Sequence, residues 1–252
     1  MRALTALTRW RVFYRSLFIQ AGFNSAGLQS LGLLYAVYPA LKELYSDPQQ
    51  QQEAARRHLS AFNTHPYVAA AIIGGVLFYE RRIVDGEETP EQVNQFKRVL
   101  MGPLAAMGDG FFWLSLKPAC GALAVLSVPW LGAGSAVLFL VLYNLVHLTA
   151  RAYLFWLGLT RGEAMVTQLA RMKIPWWSER LREVAAGCAG ALAAFLAIQY
   201  GAHQRGIGAP LLAGGCLSFG VLAWLLVSRA RVSPYLMLYT AAAVSGLLGA
   251  LL

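Results

Sequence analysis

Asp109 is the side chain whose type and setting most suggest chemistry. It is the one acid in the stretch Val99–Leu116, and it stands between Gly108 and Gly110. A carboxylate at the centre of a membrane helix costs roughly 2.5–3.5 kcal/mol on insertion scales. Gly102-Pro103 lies just upstream and is expected to break the same stretch. A broken helix exposes backbone groups, which is tolerated only where protein or a water-filled cavity satisfies them. Two readings follow for Asp109: it lines a polar cavity or substrate path, or it caps a half-helix at the membrane edge.

Arg57–Pro66, RHLSAFNTHP, forms a second cluster. It joins a polar helix to a short apolar element. Asn63 and Thr64 suit the junction, because their side chains bond to nearby backbone. His58 and His65 are seven apart with no carboxylate near them in sequence, a poor metal-ligand spacing, and no metal is expected. Asn144 and His147 are three apart and share a helix face. Such a pair bonds a neighbouring helix or meets a substrate. The chain has no GxxxxGK[ST] loop, no HExxH and no evident triad. Cys120, Cys188 and Cys216 all lie in apolar runs, as buried thiols do. Neither a catalytic group nor a cofactor is expected.

These residues need a scaffold, and composition indicates which kind. Of 252 residues, 58% are hydrophobic and only 13% charged, about half the roughly 25% of a soluble protein. Mean hydropathy is +0.51. The surface of a soluble fold would lack charge, which argues for a polytopic membrane protein. The net charge is +9, but the basic residues sit in short clusters between apolar runs, so nucleic-acid binding is not expected.

The expected fold is all-α, with broken or re-entrant helices in one domain, 1–252. Residues 1–20 read as an amphipathic interfacial helix suited to membrane lipid, with Leu7, Trp10, Tyr14, Leu17 and Phe18 recurring at steps of three and four. Residues 21–150 read as a broken-helix core with polar cytoplasmic helices. Ser46-Asp47-Pro48 starts one of these, expected over Gln49–Phe62, and Thr89-Pro90 starts the other. Pro66–Tyr79 is apolar but too short to cross a bilayer alone, since a span needs about 20 residues. Trp130–Ala150 is long enough. Residues 151–183 form a basic cytoplasmic segment ending near Trp176-Trp177, an interfacial anchor. Residues 184–252 supply three expected spans, Val184–Ala202, Gly206–Ser228 and Val232–Leu252. Loop charge places the N-terminus in the cytoplasm and the C-terminus outside.

At these same residues the chain resembles a known family. RHLSAFNTHP resembles the RHLxFFNTHP signature of the membrane subunit IID of the mannose/fructose/sorbose-type phosphotransferase system. Leu100–Asp109, LMGPLAAMGD, resembles that family's LMGPLAGIGD, and Phe112-Trp113 follows in register. Asn24 and Gln29 fall in the family's order, as does Ser233-Pro234. The resemblance implies a non-catalytic sugar permease subunit in the bacterial inner membrane. It would pair with a IIC subunit, in a trimer of IIC–IID pairs. Soluble IIA and IIB would carry the phosphoryl group to a hexose-type sugar. Asp109, Asn63, His65, Asn24 and Gln29 become the candidates for a sugar path or cavity.

One block departs from the family. NYERMQ is usual near the N-terminus, whereas Asn24–Gln29 reads NSAGLQ, with Ala26 and Gly27 replacing a Glu-Arg pair. The departure leaves a second expectation: a membrane scaffold or sensor of a regulatory phosphotransferase system that moves no sugar.

Overall fold

The structure is a computed structural model that describes residues 4–203 and Ser218. Among the described residues it is all-helical; the only β-type pairings are isolated bridges, Asn24 with Leu28 and Leu28 with Phe62. The described residues up to Ala185 make one compact unit, and a second begins at Ala186.

Local sequence sets where several helices begin. Helix α1 (Ala6–Ser16) starts at Thr5, whose hydroxyl accepts from the Thr8 amide at 3.2 Å. It is shorter than the expected 1–20. One face carries Thr8, Val12 and Ser16, all buried, while Leu7, Trp10 and Tyr14 stay more than half exposed. Helix α2 (Ser30–Leu44) packs against α1. Helix α3 (Pro48–Arg57) starts at Asp47, which accepts from the Gln49 and Gln50 amides, with Pro48 at the first position. It ends five residues before the expected Phe62, because His58 and the residues after it turn into the core.

Helix α4 (Ala69–Val84) is the buried centre of the unit: Ala69 to Leu77 are all closed off from solvent. Helix α7 (Gly134–Arg161) lies along it. Two glycines set how close they come. A β-carbon on Gly74 would strike the Phe155 carbonyl of α7, and one on Gly158 would strike the Ala71 carbonyl of α4. Small residues let membrane helix backbones touch, which gains dispersion where no hydrophobic effect is available.

The expected break around Asp109 takes another form. Helix α5 (Pro90–Gly108) begins after Thr89 as anticipated, runs past Pro103, and passes into a π-helical segment, Asp109–Leu116, and then α6 (Lys117–Leu131). The whole is one helix of 42 residues, Pro90–Leu131. The Gly108–Gly110 sequence thus widens the helix instead of stopping it. Widened turns keep their backbone hydrogen bonds, so no orphaned carbonyls need a cavity. This helix and Gly134–Arg171, which continues α7 through a 3₁₀ turn into α8 (Met165–Arg171), are long and apolar enough to cross a membrane. The outer side of α7 exposes Val137, Leu140, Val141, Leu145 and Leu148, a face suited to lipid or to a membrane partner.

Helix α9 (Ile174–His203) begins with Trp176 and Trp177 exposed and covers the expected span Val184–Ala202. The two further spans, Gly206–Ser228 and Val232–Leu252, lie outside the described residues.

The glycine contacts yield a stability contrast. Gly158→Leu drives a side chain into the α4 backbone, so it should lower the unfolding midpoint in detergent by an amount equivalent to at least about 1–3 kcal/mol. Gly102→Ala, whose β-carbon meets nothing within 4 Å, should leave the midpoint unchanged or slightly raised.

Candidate functional site

The signature segment after α3 is built as a loop clamped from two sides. On one side, the N-terminal turn zips to it. Gln29 N–H donates to the Phe62 carbonyl at 2.8 Å, and Phe62 N–H donates to the Gly27 carbonyl at 3.3 Å. The Gln29 side chain is 1% exposed. Its amide nitrogen donates to the Thr64 carbonyl at 2.8 Å, and its amide oxygen accepts from Thr64 N–H at 3.0 Å. One side chain therefore satisfies both backbone groups of a buried residue, as buried loop backbone requires. Asn24 shapes the turn that delivers Gln29: its carboxamide oxygen accepts from Ala26 and Gly27 N–H at 3.0 and 2.9 Å. Leu28 completes that turn at φ 59°, a left-handed conformation that costs a non-glycine residue energy.

Towards α3, the loop is held by a buried ionic chain. Glu80 of α4 is 1% exposed and His58 is fully buried. His58 Nε2 donates to Glu80 Oε1 at 2.9 Å, and Tyr45 OH donates to Glu80 Oε2 at 2.6 Å. Lys97 of α5 faces the other imidazole nitrogen at 3.4 Å, the Arg57 carbonyl at 2.7 Å and Ser60 Oγ at 3.4 Å. All three ammonium hydrogens thus have partners, and the lysine's place beside Nδ1 fixes the tautomer that donates to Glu80. Arg57 adds an ion pair to Glu80 at 3.6 Å, just beyond hydrogen-bond reach. Burial pushes the His58 pKa down, against the pull of Glu80. Burial alone would raise Glu80, but the hydrogen bond from His58, the Arg57 charge and Tyr45 outweigh it and hold the carboxyl below its ordinary value. The sequence marked His58 as a possible ligand without a carboxylate partner; the partner stands 22 residues away on α4.

Towards the membrane helices, His65 meets the second signature block. A β-carbon on Gly108 would overlap the His65 ring, so glycine is what lets the loop and the long helix touch. The His65 ring stacks on Phe112 (5.2 Å, 15°) and packs against Trp113 and Tyr67. The π-helical turns bring both aromatics of Phe112-Trp113 to one histidine. Tyr67 lies in turn against His147 of α7 (4.3 Å, 25°), and Tyr143 OH donates to Tyr67 OH at 3.3 Å. Arg151, 3% exposed, approaches the Tyr67 ring at 5.8 Å and donates through Nη2 to the Ser16 carbonyl, tying α7 to the end of α1.

Around Tyr67, three buried nitrogens have no hydrogen-bond partner among the described residues: His65 Nε2, His147 Nδ1 and Arg151 Nε. Each such group costs about 1–3 kcal/mol if left unpaired.

The other expected residues fall as follows. Asp109 is half-buried at the first position of the π segment. Asn63 is exposed on the loop between Phe62 and Thr64. Asn144 does not bond a neighbouring helix; its amide donates to the Leu140 carbonyl of its own helix at 2.7 Å. His147, three residues on, is the one that reaches across. Ala26 is exposed and Gly27 half-buried in the N-terminal turn. Glu80, Lys97, Tyr67 and Arg151 were not singled out from the sequence. A lone acid and a lone arginine at the ends of apolar runs were the available signals. Among the described residues no three His, Cys, Asp or Glu side chains converge to hold a metal ion.

Comparison with known proteins bears on this arrangement. The model of the PTS system mannose/fructose/sorbose family IID component matches residues 3–199. This chain belongs to that family. The IID chain is 38% identical over 163 residues to the PTS system mannose-specific EIID component of Escherichia coli (strain K12), covering 63% of the chain and 56% of that relative. It is 31% identical over 174 residues to the fructose permease IID component of Bacillus subtilis (strain 168), covering 69% and 63%. The matched region thus spans little more than half the length of these curated relatives. Among solved structures, the IID chain is similar to one in the cryoEM structure of the mannose transporter ManYZ with microcin E492 (MceA), at TM-score 0.62 and 28% identity, covering 99% of this chain and 97% of that one. It is also similar to a chain described as a membrane protein, at TM-score 0.71 and 28% identity, covering 98% and 97%.

The ionic chain sets a pH dependence. Burial holds the folded His58 below its ordinary value of 6.5, so unfolding takes up protons as the pH falls below that value. Stability should be full above that pH and fall as pH drops below it, with Glu80 adding to the loss at still lower pH. Unfolding in detergent across pH 8 to 4 should show the midpoint falling, with Glu80→Ala costing about 3–5 kcal/mol at pH 8 by stranding the buried Lys97. A flat profile, or a silent Glu80→Ala, counts against this account.

Proposed function

We propose that the chain is the IID permease subunit of a bacterial phosphotransferase sugar transporter. It sits in the cytoplasmic membrane, N-terminus inside and C-terminus outside, and acts as one IID domain with three C-terminal spans. It works beside a IIC subunit, in a trimer of IIC–IID pairs, while soluble IIA and IIB pass the phosphoryl group to a hexose. The chain itself carries no catalytic group.

One observation carries this reading: the two family signature blocks touch, His65 against Gly108, inside a shell of aromatic and hydrogen-bonding side chains. A sugar within a membrane needs both, ring faces for its C–H surfaces and polar groups for its hydroxyls. No nucleophile oriented by a base accompanies them, which suits a subunit that holds substrate while a partner does the chemistry. The family match over residues 3–199 supports treating the chain as one functional piece. The relatives are named for mannose, fructose and sorbose, which points to hexoses. The basic N-terminus supports the orientation; the stretch expected as a basic cytoplasmic segment, 151–183, does not form one loop, because Arg151 is buried within α7 and the helix runs on to Arg171. The exposed side of α1, with Leu7, Trp10 and Tyr14, supports a seat at the lipid surface.

Within this reading the five sequence candidates divide by role. Asn24 and Gln29 position the loop. Asn63 sits on its exposed side. His65 and Asp109 border the sugar path, where the long helix widens.

Asp109→Asn is the direct test. In cells carrying the chain with its IIC, IIA and IIB partners, uptake of labelled hexose should fall at least tenfold while the amount of assembled membrane complex stays constant. Normal uptake would leave Asp109 a polar group at a helix edge with no part in transport.

A further inference from the structure

We infer that the seam between α1 and α2 holds one anionic phospholipid, its phosphate among Arg11, Arg15 and Lys42 and an acyl chain against Phe18, Ala21 and Leu31. The inference rests on the membrane placement proposed above and adds a lipid ligand to it.

Two hollows follow one another along this seam. The first, of about 420 Å³, lies between Arg11 and Arg15 of α1 and Tyr38 and Lys42 of α2. The second, of about 330 Å³ and mostly apolar, lies between Phe18 and Ala21, which follow α1, and Leu31 and Tyr35 of α2. The two helices run antiparallel, with Thr5 bonded to Glu43 at one end and Arg15 to Tyr35 further along, so the hollows are neighbours. Arg15 and Tyr35 join them: the guanidinium lies over the Tyr35 ring at 4.7 Å, and Nη1 donates to the Tyr35 carbonyl at 3.3 Å.

The first hollow suits negative charge. Three cations converge on it, and among the described residues none of them has an ion pair. The acid at its edge, Glu43, gives its two oxygens to the Thr5 N–H and hydroxyl. Two of the cations rest on aromatic rings, Arg15 on Tyr35 and Lys42 on Tyr38 at 5.2 Å. That placement lowers the side-chain entropy lost when an anion binds.

The pair of hollows selects the ligand. A neutral sugar leaves the charges unmatched. A soluble phosphate leaves the apolar hollow empty. A phospholipid fills both, and a zwitterionic headgroup would bring its own ammonium among three cations, so an anionic one fits better. The outer side of α1 agrees. Leu7, Tyr14 and Phe18 are exposed, and Arg11 stands four residues after Leu7 and seven before Phe18, at the border of that apolar stripe. Phosphate height and lipid-facing side therefore coincide on one helix. With the N-terminus inside, the cytoplasmic leaflet supplies the lipid.

The test uses the full chain purified with its IIC partner in detergent. Phosphatidylglycerol, phosphatidylcholine or glycerol phosphate is added, and bound ligand is counted by native mass spectrometry. At least one phosphatidylglycerol per chain should be retained, more tightly than phosphatidylcholine. Arg11→Gln combined with Lys42→Gln, both at exposed positions, should weaken it about tenfold or more. Leu31→Gln, also exposed, removes apolar surface from the second hollow and should weaken it roughly threefold; it is the second variant if the double one does not assemble. Unchanged retention in the assembled variants would overturn the assignment. So would glycerol phosphate binding as tightly as phosphatidylglycerol, which would make soluble phosphate the ligand. Uptake of labelled hexose by vesicles carrying the complete complex is read separately. Uptake without selective lipid retention overturns the lipid site alone; selective lipid retention without uptake overturns the permease role and leaves the lipid site standing.

Discussion

Gln29 holds both the N–H and the carbonyl of Thr64 from within a nearly dry interior. The rest of the site depends on this clamp. A loop that leaves a helix and passes through an apolar interior has backbone groups that water cannot reach. Once one carboxamide satisfies Thr64 at both ends, the chain on either side is fixed. His58 then points to Glu80 and Lys97, and His65 to Gly108 and the aromatic pair beyond it. Asn24 and the left-handed Leu28 are the supports that present Gln29 at the required place. The strain at Leu28 is offset by the paired hydrogen bonds it exchanges with Asn24.

The ionic chain behind the clamp serves definition more than net stability. Desolvating Glu80 and Lys97 costs several kcal/mol for each ion, and their hydrogen bonds roughly return it. An apolar set of equal volume would hold the helices as well. What an apolar set cannot do is distinguish one rotation of α4 from its neighbours, whereas Glu80 must find Tyr45 and His58 together. The glycine contacts of Gly74 and Gly158 act with it. They fix how near α4 and α7 lie, and the carboxylate fixes the register of α4 against α3 and α5.

Much of this was legible in the sequence, and the remainder divides by physical cause. Helix-start signals are local, so Asp47-Pro48 located one start through a side-chain cap and Pro90 located another through its place in the first turn, although Thr89 makes no side-chain cap bond. The two ten-residue blocks were enough to place the family. The interruption at Gly108–Gly110 was visible, but its form was not, because a break and a widened turn use the same permissive residues. Partners far apart in sequence were the least accessible. Nothing in the spacing tells His58 that its carboxylate lies on the next helix, or Arg151 that it reaches Ser16. Asn144 and His147 looked like an equivalent pair by periodicity, yet one bonds its own helix and the other crosses to Tyr67. Periodicity assigns a face, not a neighbour.

The wide-wound stretch Asp109–Leu116 also bears on how such a chain tolerates insertions and deletions. Each π turn accommodates one residue more than an α turn. Losing a single amino acid here would let one wide turn close as an ordinary α turn, which still completes one revolution. The positions from Lys117 onward would keep their directions about the axis while the backbone stayed intact. The octet can thus absorb the loss of one residue without re-aiming the helix that follows.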